Sequence, residues 1–166
     1  MTYRGETVAG KHTLWTSEGA ELRPRADLYE YSETFSWGEL SGGAYQTSVT
    51  LLADLFRSCA AGTAMAKSLH VDFAKEIVSE FSADWEMTDQ AMREWMWKKF
   101  VECPTWFNNQ IVRVLREDAK ARWISAKPGA PAPSEAWVRE EIGKHLIHGI
   151  GIRADKVEAT LNFLAK

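Results

Sequence analysis

The chain changes from β-type to helical patterning within residues 32–59, which read SETFSWGELSGGAYQTSVTLLADLFRSC. Before the glycine pair Gly42-Gly43 the stretch is rich in turn formers and aromatic residues. After the pair, apolar residues recur at three- and four-residue steps, the period of a helix face that packs on a core. These positions are Tyr45, Val49, Leu52, Phe56 and Cys59. The stretch therefore predicts strands before Gly42 and helices after it, with Gly62 stopping the first helix.

The residues upstream of this junction predict short strands. Residues 11–16 (KHTLWT) alternate weakly between apolar and polar, and the turn formers of residues 16–19 (TSEG) lead into a second short segment. Phe35 and Trp37 lie two positions apart, which places them on one face of an extended strand. We therefore expect a short antiparallel sheet or hairpin within residues 1–41.

Helical patterning continues to the end of the chain, with one interruption at residues 127–133 (KPGAPAP), which contain no core-forming residue. Five further helices are predicted, over about 63–82, 89–102, 104–123, 134–148 and 154–165. The predicted fold is α+β and mostly helical: a small N-terminal antiparallel sheet packed on a helical bundle, with a C-terminal helical hairpin. The predicted domain boundaries are an α+β domain at 1–126, a linker at 127–133 and the hairpin at 134–166.

Composition excludes several classes of protein. Of 166 residues, 45% are hydrophobic and 26% are charged, a globular balance that argues against disorder. The net charge of −3 offers no general attraction to phosphate backbones, so direct nucleic-acid binding is disfavoured. No run of about eighteen apolar residues occurs, which predicts no membrane span. The two cysteines predict reduced thiols, and hence a cytoplasmic protein, in the host cytoplasm if it is phage-encoded.

The sequence contains no catalytic motif. His145 and His148 have the i,i+3 spacing of a metal-binding pair, but no carboxylate or cysteine follows at the expected distance. Cys59 falls on the apolar face of the first predicted helix, where burial disfavours the thiolate. We therefore predict no metal, no cofactor and no catalytic residue, and we lean against an enzyme.

The third predicted helix has an unusually wide apolar face. Met92, Met96 and Phe100 form its centre, while Trp95 and Trp97 lie about 100° to either side of Met96. Such a helix is either packed between two neighbours or exposes part of its face to a partner, for which Trp and Met are enriched. Trp95 and Trp97 are therefore candidate partner-binding residues.

Acidic residues are concentrated just before and within this helix. Between residues 72 and 94 there are seven acids and two bases, and the next segment, 95–128, reverses the balance with seven bases and three acids. Solvated helix faces explain such charge runs in most proteins. The more specific hypothesis is an acidic patch that binds a basic protein, with four candidate residues: Asp84, Glu86, Asp89 and Glu94.

Residues 3–5 (YRG) and 32–46 (SETFSWGELSGGAYQ) resemble the pattern of a family of small uncharacterised domains from phages, prophages and bacteria. The resemblance covers about residues 3–100, and five residues match in order: Phe35, Trp37, Gly38, Gly43 and Gln46. The chain departs from the family at Glu33, where the pattern has proline, and in a loosened Gly-Ser-Gly motif. The resemblance implies a fold and no known reaction.

Three functional hypotheses remain open. The first hypothesis is an accessory protein encoded by a phage or mobile element. It is favoured by the genomes in which the family occurs, by the acidic segment followed by a basic one, and by the wide aromatic face of the third predicted helix. Such a protein would act by binding a host protein. The partner would be a nucleic-acid-handling defence complex, which this protein would inhibit as an anti-CRISPR protein does. A second hypothesis is a small-molecule- or anion-binding enzyme at the turn formed by Trp37, Gly42, Gly43 and Gln46. A third is a helix-turn-helix DNA-binding regulator that uses the last two helices.

Overall fold

The chain folds into a four-stranded antiparallel sheet and a larger set of helices, in a computed structural model that describes residues 1–164. The predicted α+β, mostly helical class is confirmed. The residues group into two compact units, one made of residues 1–55 and 66–92, the other of residues 56–65 and those from 93 onward. The predicted ends of the last helix and of the hairpin, at residues 165 and 166, lie outside the described residues.

The sheet belongs to the first unit and has the strand order β3-β2-β1-β4. Its strands are β1 (Thr2–Val8), β2 (Lys11–Thr16), β3 (Glu21–Leu22) and β4 (Trp85–Thr88). The strands β2 and β3 lie where the turn chemistry of residues 16–19 predicts them, and β1 lies within the β-type region predicted for residues 1–41. The strand β4 was not predicted, because its four residues have no partner nearby in the sequence and pair with β1 across about eighty positions, as in Thr2 with Thr88.

Residues 1–164 form seven α-helices, of which two lie between β3 and β4 and five follow β4. They are α1 (Gly42–Leu55), α2 (Gly62–Glu76), α3 (Asp89–Glu102), α4 (Pro104–Phe107), α5 (Arg113–Ala126), α6 (Glu135–His145) and α7 (Ala154–Leu164). A 3-10 turn covers Val78–Glu80, and π-helical turns cover Asn108–Val112 and Leu146–Ile150. The predicted fourth helix is thus a continuous run from residue 104 to 126 that contains one π turn.

Two helices begin with a side-chain cap. The Thr88 hydroxyl accepts a hydrogen bond from the Ala91 backbone N–H at 3.1 Å, and α3 has the predicted bounds. The Ser134 hydroxyl accepts from the Trp137 N–H at 3.2 Å and starts α6. Side-chain acceptors at these positions satisfy N–H groups that the first helical turn leaves unpaired.

The first helix is shorter than its apolar period predicts. It ends at Leu55, and residues 56–61 form turns in which the Cys59 N–H donates to the Phe56 carbonyl at 2.8 Å. The Gly62 N–H then donates to the Cys59 carbonyl at 2.9 Å. Cys59 therefore lies in a turn and not on a helix face, which corrects the sequence prediction. Phe35 and Trp37 are both buried, but they lie in an irregular segment and not on a strand.

Each unit has its own set of fully buried apolar side chains. The first unit buries residues of β1, β2, α1 and α2, chiefly Tyr3, Leu14, Leu51, Leu52, Leu69 and Phe73. The second buries residues of the 56–65 segment and of the later helices, chiefly Phe56, Met65, Met96, Phe107, Ile111 and Leu115. Among residues 1–164, no helix is both long and apolar enough to cross a membrane.

Candidate functional site

The two tryptophans of α3 have opposite environments. Trp95 is 8% exposed, and its ring makes an edge-to-face contact with Trp106, with 5.7 Å between ring centroids. Trp97 is 41% exposed, and its ring stacks on Phe100 at 4.8 Å. Trp95 is therefore part of the packing of the second unit, whereas Trp97 presents aromatic area to solvent.

Trp97 belongs to a continuous apolar surface that we call the α3–α7 aromatic surface, formed by Trp97, Phe100, Val101 and Phe163. The Phe100 ring bridges the two helices, because it contacts the Phe163 ring edge-to-face at 5.9 Å. Val101 is 64% exposed and Phe163 is 55% exposed. Large apolar side chains scattered singly on a surface are common, but contiguous aromatic groups mark interaction sites.

Charged residues border this surface on α3. Glu94, Trp97, Lys98 and Val101 stand at i, i+3, i+4 and i+7, which places them along one exposed face of the helix. Lys98 forms a 3.8 Å ion pair with Glu102, one turn further on. The rim on α3 thus carries the two carboxylates of Glu94 and Glu102 together with the Lys98 ammonium group, and Arg93 stands one turn before Trp97.

The other predicted acidic residues lie in the first unit. Asp84 and Glu86 are exposed, and Asp84 accepts a hydrogen bond from the Thr7 backbone N–H at 3.0 Å. Asp89 is half-buried at the first position of α3, where the helix dipole favours a carboxylate. Of the four predicted acids, only Glu94 belongs to the same unit as the aromatic surface.

Trp37, which the alternative hypothesis places in a ligand pocket, is enclosed by protein. Its indole N–H donates to the Ala83 carbonyl at 3.0 Å. Its ring contacts the His12 ring at 4.3 Å and the Trp85 ring edge-to-face at 5.6 Å. These contacts use both the polar atom and the faces of the indole, and they tie the 35–37 segment to the sheet side of the first unit.

The glycine pair at the start of α1 lies close against the preceding loop. A Cβ on Gly43 would lie 2.5 Å from the Ser36 hydroxyl oxygen and 2.8 Å from the Ser36 nitrogen. Gln46 is fully buried in the first turn of α1, and its side-chain carbonyl oxygen accepts from the Tyr31 N–H at 3.1 Å. The chain itself therefore occupies the space next to these backbone groups.

Comparison with known protein families assigns the N-terminal part of the chain to a family. A family model described as "Family of unknown function (DUF6166)" matches residues 3–98, more than half of the chain. The chain belongs to the DUF6166 family. The match covers nearly the same stretch as the sequence resemblance, 3–100. No curated protein and no solved structure matches the chain. Trp97 lies inside the DUF6166 region, and Phe163 lies beyond it.

The DUF6166 region also contains an aromatic cluster that sequence analysis missed, formed by Tyr29, Tyr31, Tyr45 and His70. The Tyr31 hydroxyl donates to His70 Nε2 at 2.8 Å. His70 Nδ1 lies 2.9 Å from the Lys67 carbonyl oxygen, which only accepts, so the ring proton is on Nδ1. The Tyr29 ring stacks on His70 at 4.8 Å. The residues come from three segments, so no short motif signals the cluster.

Acidification should destabilise the fold through His70. Burial lowers the pKa of His70 below its usual value near 6.5, so the folded state disfavours the imidazolium. The unfolded chain takes up this proton at about pH 6.5, and the folded chain only at a lower pH. The stability that neutral His70 contributes is therefore complete above about pH 6.5 and is lost as the pH falls toward the lowered pKa.

Urea unfolding at about pH 7.5 and about pH 5.5 measures this effect. The midpoint should fall on acidification, and it should fall less in His70→Gln, whose amide does not titrate. An equal fall in both proteins would contradict the assignment to His70. Burial also lowers the pKa of His145, so His145→Gln should act in the same direction.

The predicted absence of a metal site concerns His145 and His148 in α6 and the following π turn. His145 is buried and His148 is exposed. Among residues 1–164, no three His, Cys, Asp or Glu side chains are grouped closely enough to hold a metal ion. The two histidines instead line a cleft with Cys59, a grouping that sequence analysis did not find because Cys59 is more than eighty positions away.

Proposed function

We propose that this DUF6166 protein acts by binding a protein partner through the α3–α7 aromatic surface. The observation that carries the proposal is the exposure of Trp97, whose stacked ring leaves 41% of the residue in contact with solvent. Keeping a tryptophan, a phenylalanine and a valine exposed together gives up the free energy that their burial would supply. Binding energy at protein interfaces is concentrated in such aromatic anchors.

The carboxylates at the rim offer contacts to a basic partner segment. Glu94 and Glu102 border the aromatic surface on α3, and Lys98 is already paired with Glu102. The whole chain carries a net charge of −3, which also attracts a basic partner. The occupant we propose is an amphipathic segment whose apolar side chains cover Trp97 and Phe163 and whose Lys or Arg side chains face the two carboxylates.

The proposed biological role is inhibition of a host defence complex by a protein that a phage or mobile element encodes. A nucleic-acid-handling complex is a suitable partner because proteins that bind nucleic acid present basic surfaces. The resemblance of residues 3–100 to domains from phages and prophages supports this role. Binding to such a surface requires no catalytic residue in this chain.

Replacing Trp97 with alanine should weaken the partner complex by about 2 kcal/mol, or roughly 30-fold in Kd, with little loss of stability. The matched control is Ile124→Ala, because Ile124 is 63% exposed on α5 and does not belong to the aromatic surface. The partner is captured from host lysate, identified and purified. Its affinity for the wild-type protein and both variants is then measured by calorimetry, beside their melting temperatures.

The proposal requires that Trp97→Ala loses the partner and that Ile124→Ala keeps it. Equal affinity of the two variants would place the interface elsewhere. A wild-type protein that forms dimers, broken by Trp97→Ala, would assign the surface to self-association instead. Retention of the partner only at low salt and independently of Trp97 would indicate a purely electrostatic contact with Asp84 or Glu86.

A further inference from the structure

The Trp123 and Trp137 rings, one from α5 and one from α6, form an aromatic pair in the second unit. Their centroids lie 4.8 Å apart, and their planes meet at 60°. Both residues are half-buried, so the pair keeps part of its aromatic area at the surface. Tryptophan is enriched at interfaces because a large apolar ring carries one polar N–H at its edge.

The chain places a proline segment of its own, residues 130–133 (APAP), against this pair. The Trp123 indole N–H donates to the Pro131 carbonyl oxygen at 3.0 Å. Among residues 1–164, this is the one hydrogen bond that residues 131–133 form. The segment is therefore held by the aromatic pair and not by a backbone ladder or a helix.

The backbone of the proline segment is restricted to an extended form. Proline fixes φ near −65° at Pro131 and Pro133, and the alanine before each proline is kept out of the α region. Ser134, the next residue, has φ −66° and ψ 150°, the values of polyproline II. A polyproline II segment has no internal hydrogen bonds, so its carbonyls are free to accept.

A tight turn at residues 127–130 (KPGA) sets the direction of this segment. The Ala130 N–H donates to the Lys127 carbonyl at 3.1 Å, and Gly129 has a φ of 80°. Proline at the second position and glycine at the third are typical of a type II turn. Pro131, directly after the turn, is exposed, so the held segment lies on the surface of the second unit and not in its core.

We propose that the Trp123–Trp137 pair is a binding site for a proline-rich segment of a partner protein, and that residues 130–133 occupy it as an internal ligand. The internal ligand identifies the class of partner: an extended, proline-containing chain whose carbonyl accepts from the Trp123 N–H. Aromatic-lined surfaces recognise such chains because polyproline II is already ordered before binding. Being tethered at both ends, the internal ligand competes at a high effective concentration and closes the site to weak ligands.

This site shares no residue with the α3–α7 aromatic surface and does not depend on the partner proposed there. Its probe is an alternating alanine–proline octapeptide with blocked ends, and the control peptide alternates alanine and glycine. Each is titrated to millimolar concentration and followed by NMR of the indole N–H groups. The proline peptide should shift the resonances of Trp123 and Trp137 and leave that of Trp15, in the first unit, unchanged. The glycine peptide should bind more weakly, because ordering it costs more entropy.

A loosened variant, with Pro131→Gly and Pro133→Gly together, releases the internal ligand. Its apparent Kd for the proline peptide should fall about tenfold, because a larger share of the molecules then has an open site. The matched control is Pro128→Ala, which removes a proline from the turn and keeps Gly129 at the left-handed position. This control should leave the Kd unchanged.

Trp123→Phe keeps an aromatic ring and removes the N–H donor, so the proline peptide should no longer shift the Trp137 resonance. Trp97→Phe, on the α3–α7 aromatic surface, should have no effect. If Trp123→Phe does not fold, the peptide shifts and the loosened variant decide. The proposal is overturned if the loosened variant binds the proline peptide no more tightly than the wild-type protein, if the glycine peptide binds equally well, or if Trp97→Phe weakens binding as much as Trp123→Phe.

Discussion

Trp95→Ala should lower the free energy of unfolding by about 3–5 kcal/mol, the cost of truncating a large buried aromatic side chain. Trp95 is 8% exposed and packs edge-to-face on Trp106, so its removal leaves a cavity and an uncovered ring. For a chain of this size the melting temperature should fall by roughly 10 °C or more. Chemical denaturation and thermal unfolding of the variant and the wild-type protein measure both quantities.

Trp97→Ala is the matched control, since it removes the same side chain two positions away on α3. Trp97 is 41% exposed, and its loss should cost no more than about 1 kcal/mol of stability. The two variants therefore separate an effect on packing from an effect on binding. In Trp95→Ala, partner binding should fall only as far as the fraction of folded protein falls. Similar destabilisation by the two variants would show that Trp97 is packed as tightly as Trp95 and would remove it from the interface.

Gly62→Ala should destabilise the protein by about 3 kcal/mol. An alanine Cβ at this position would lie 2.2 Å from the Phe56 carbonyl oxygen, far inside contact distance. The obstacle is backbone, and it cannot rotate away as a side chain can. Relief of the clash requires opening the turns at residues 56–62, where Phe56 accepts from Cys59 and Cys59 accepts from Gly62. Urea denaturation gives the loss directly.

Gly149→Ala is the control for this prediction. Its Cβ would lie 3.6 Å from the Cys59 sulfur and 3.8 Å from the Met65 side chain, which are ordinary contacts. Alanine also loses less backbone entropy than glycine on folding, so stability should stay the same or rise by up to about 1 kcal/mol. A Gly62→Ala protein as stable as Gly149→Ala would mean that the 56–62 turns can open at little cost.

Local signals in the sequence were sufficient for most helix boundaries and for the strands β2 and β3. Thr88 and Ser134 cap the helices that follow them, and the glycine pair does mark the start of α1. The errors came from tertiary interactions. The apolar period continues past Leu55 to Cys59, but these residues form turns and not helix. The strand β4 is defined only by its pairing with β1. Neither the end of α1 at Leu55 nor the strand β4 is marked by a local sequence signal.

The candidate sites show the same difference between features that local sequence patterns predict and features that depend on tertiary contacts. Helix periodicity identified Trp95 and Trp97 as the edges of a wide apolar face, but only the packing of Trp106 and Phe100 decides which one is exposed. The His145 and His148 pair was visible in the sequence, whereas the facing turn at residues 58–60 was not. His70 belongs to no local motif, because its partners Tyr29 and Tyr31 are about forty positions away in the sequence.

The pairing of β1 with β4 has a consequence for synthesis on the ribosome. The β1–β2 hairpin can form early, but Thr2 pairs with Thr88, so one edge of β1 stays open until residue 88 has left the exit tunnel. An open strand edge invites pairing with other nascent chains. β1 carries the charged side chains of Arg4 and Glu6, which form a 3.3 Å ion pair, during the time before β4 is synthesised. Charged side chains on an exposed strand disfavour pairing with other chains.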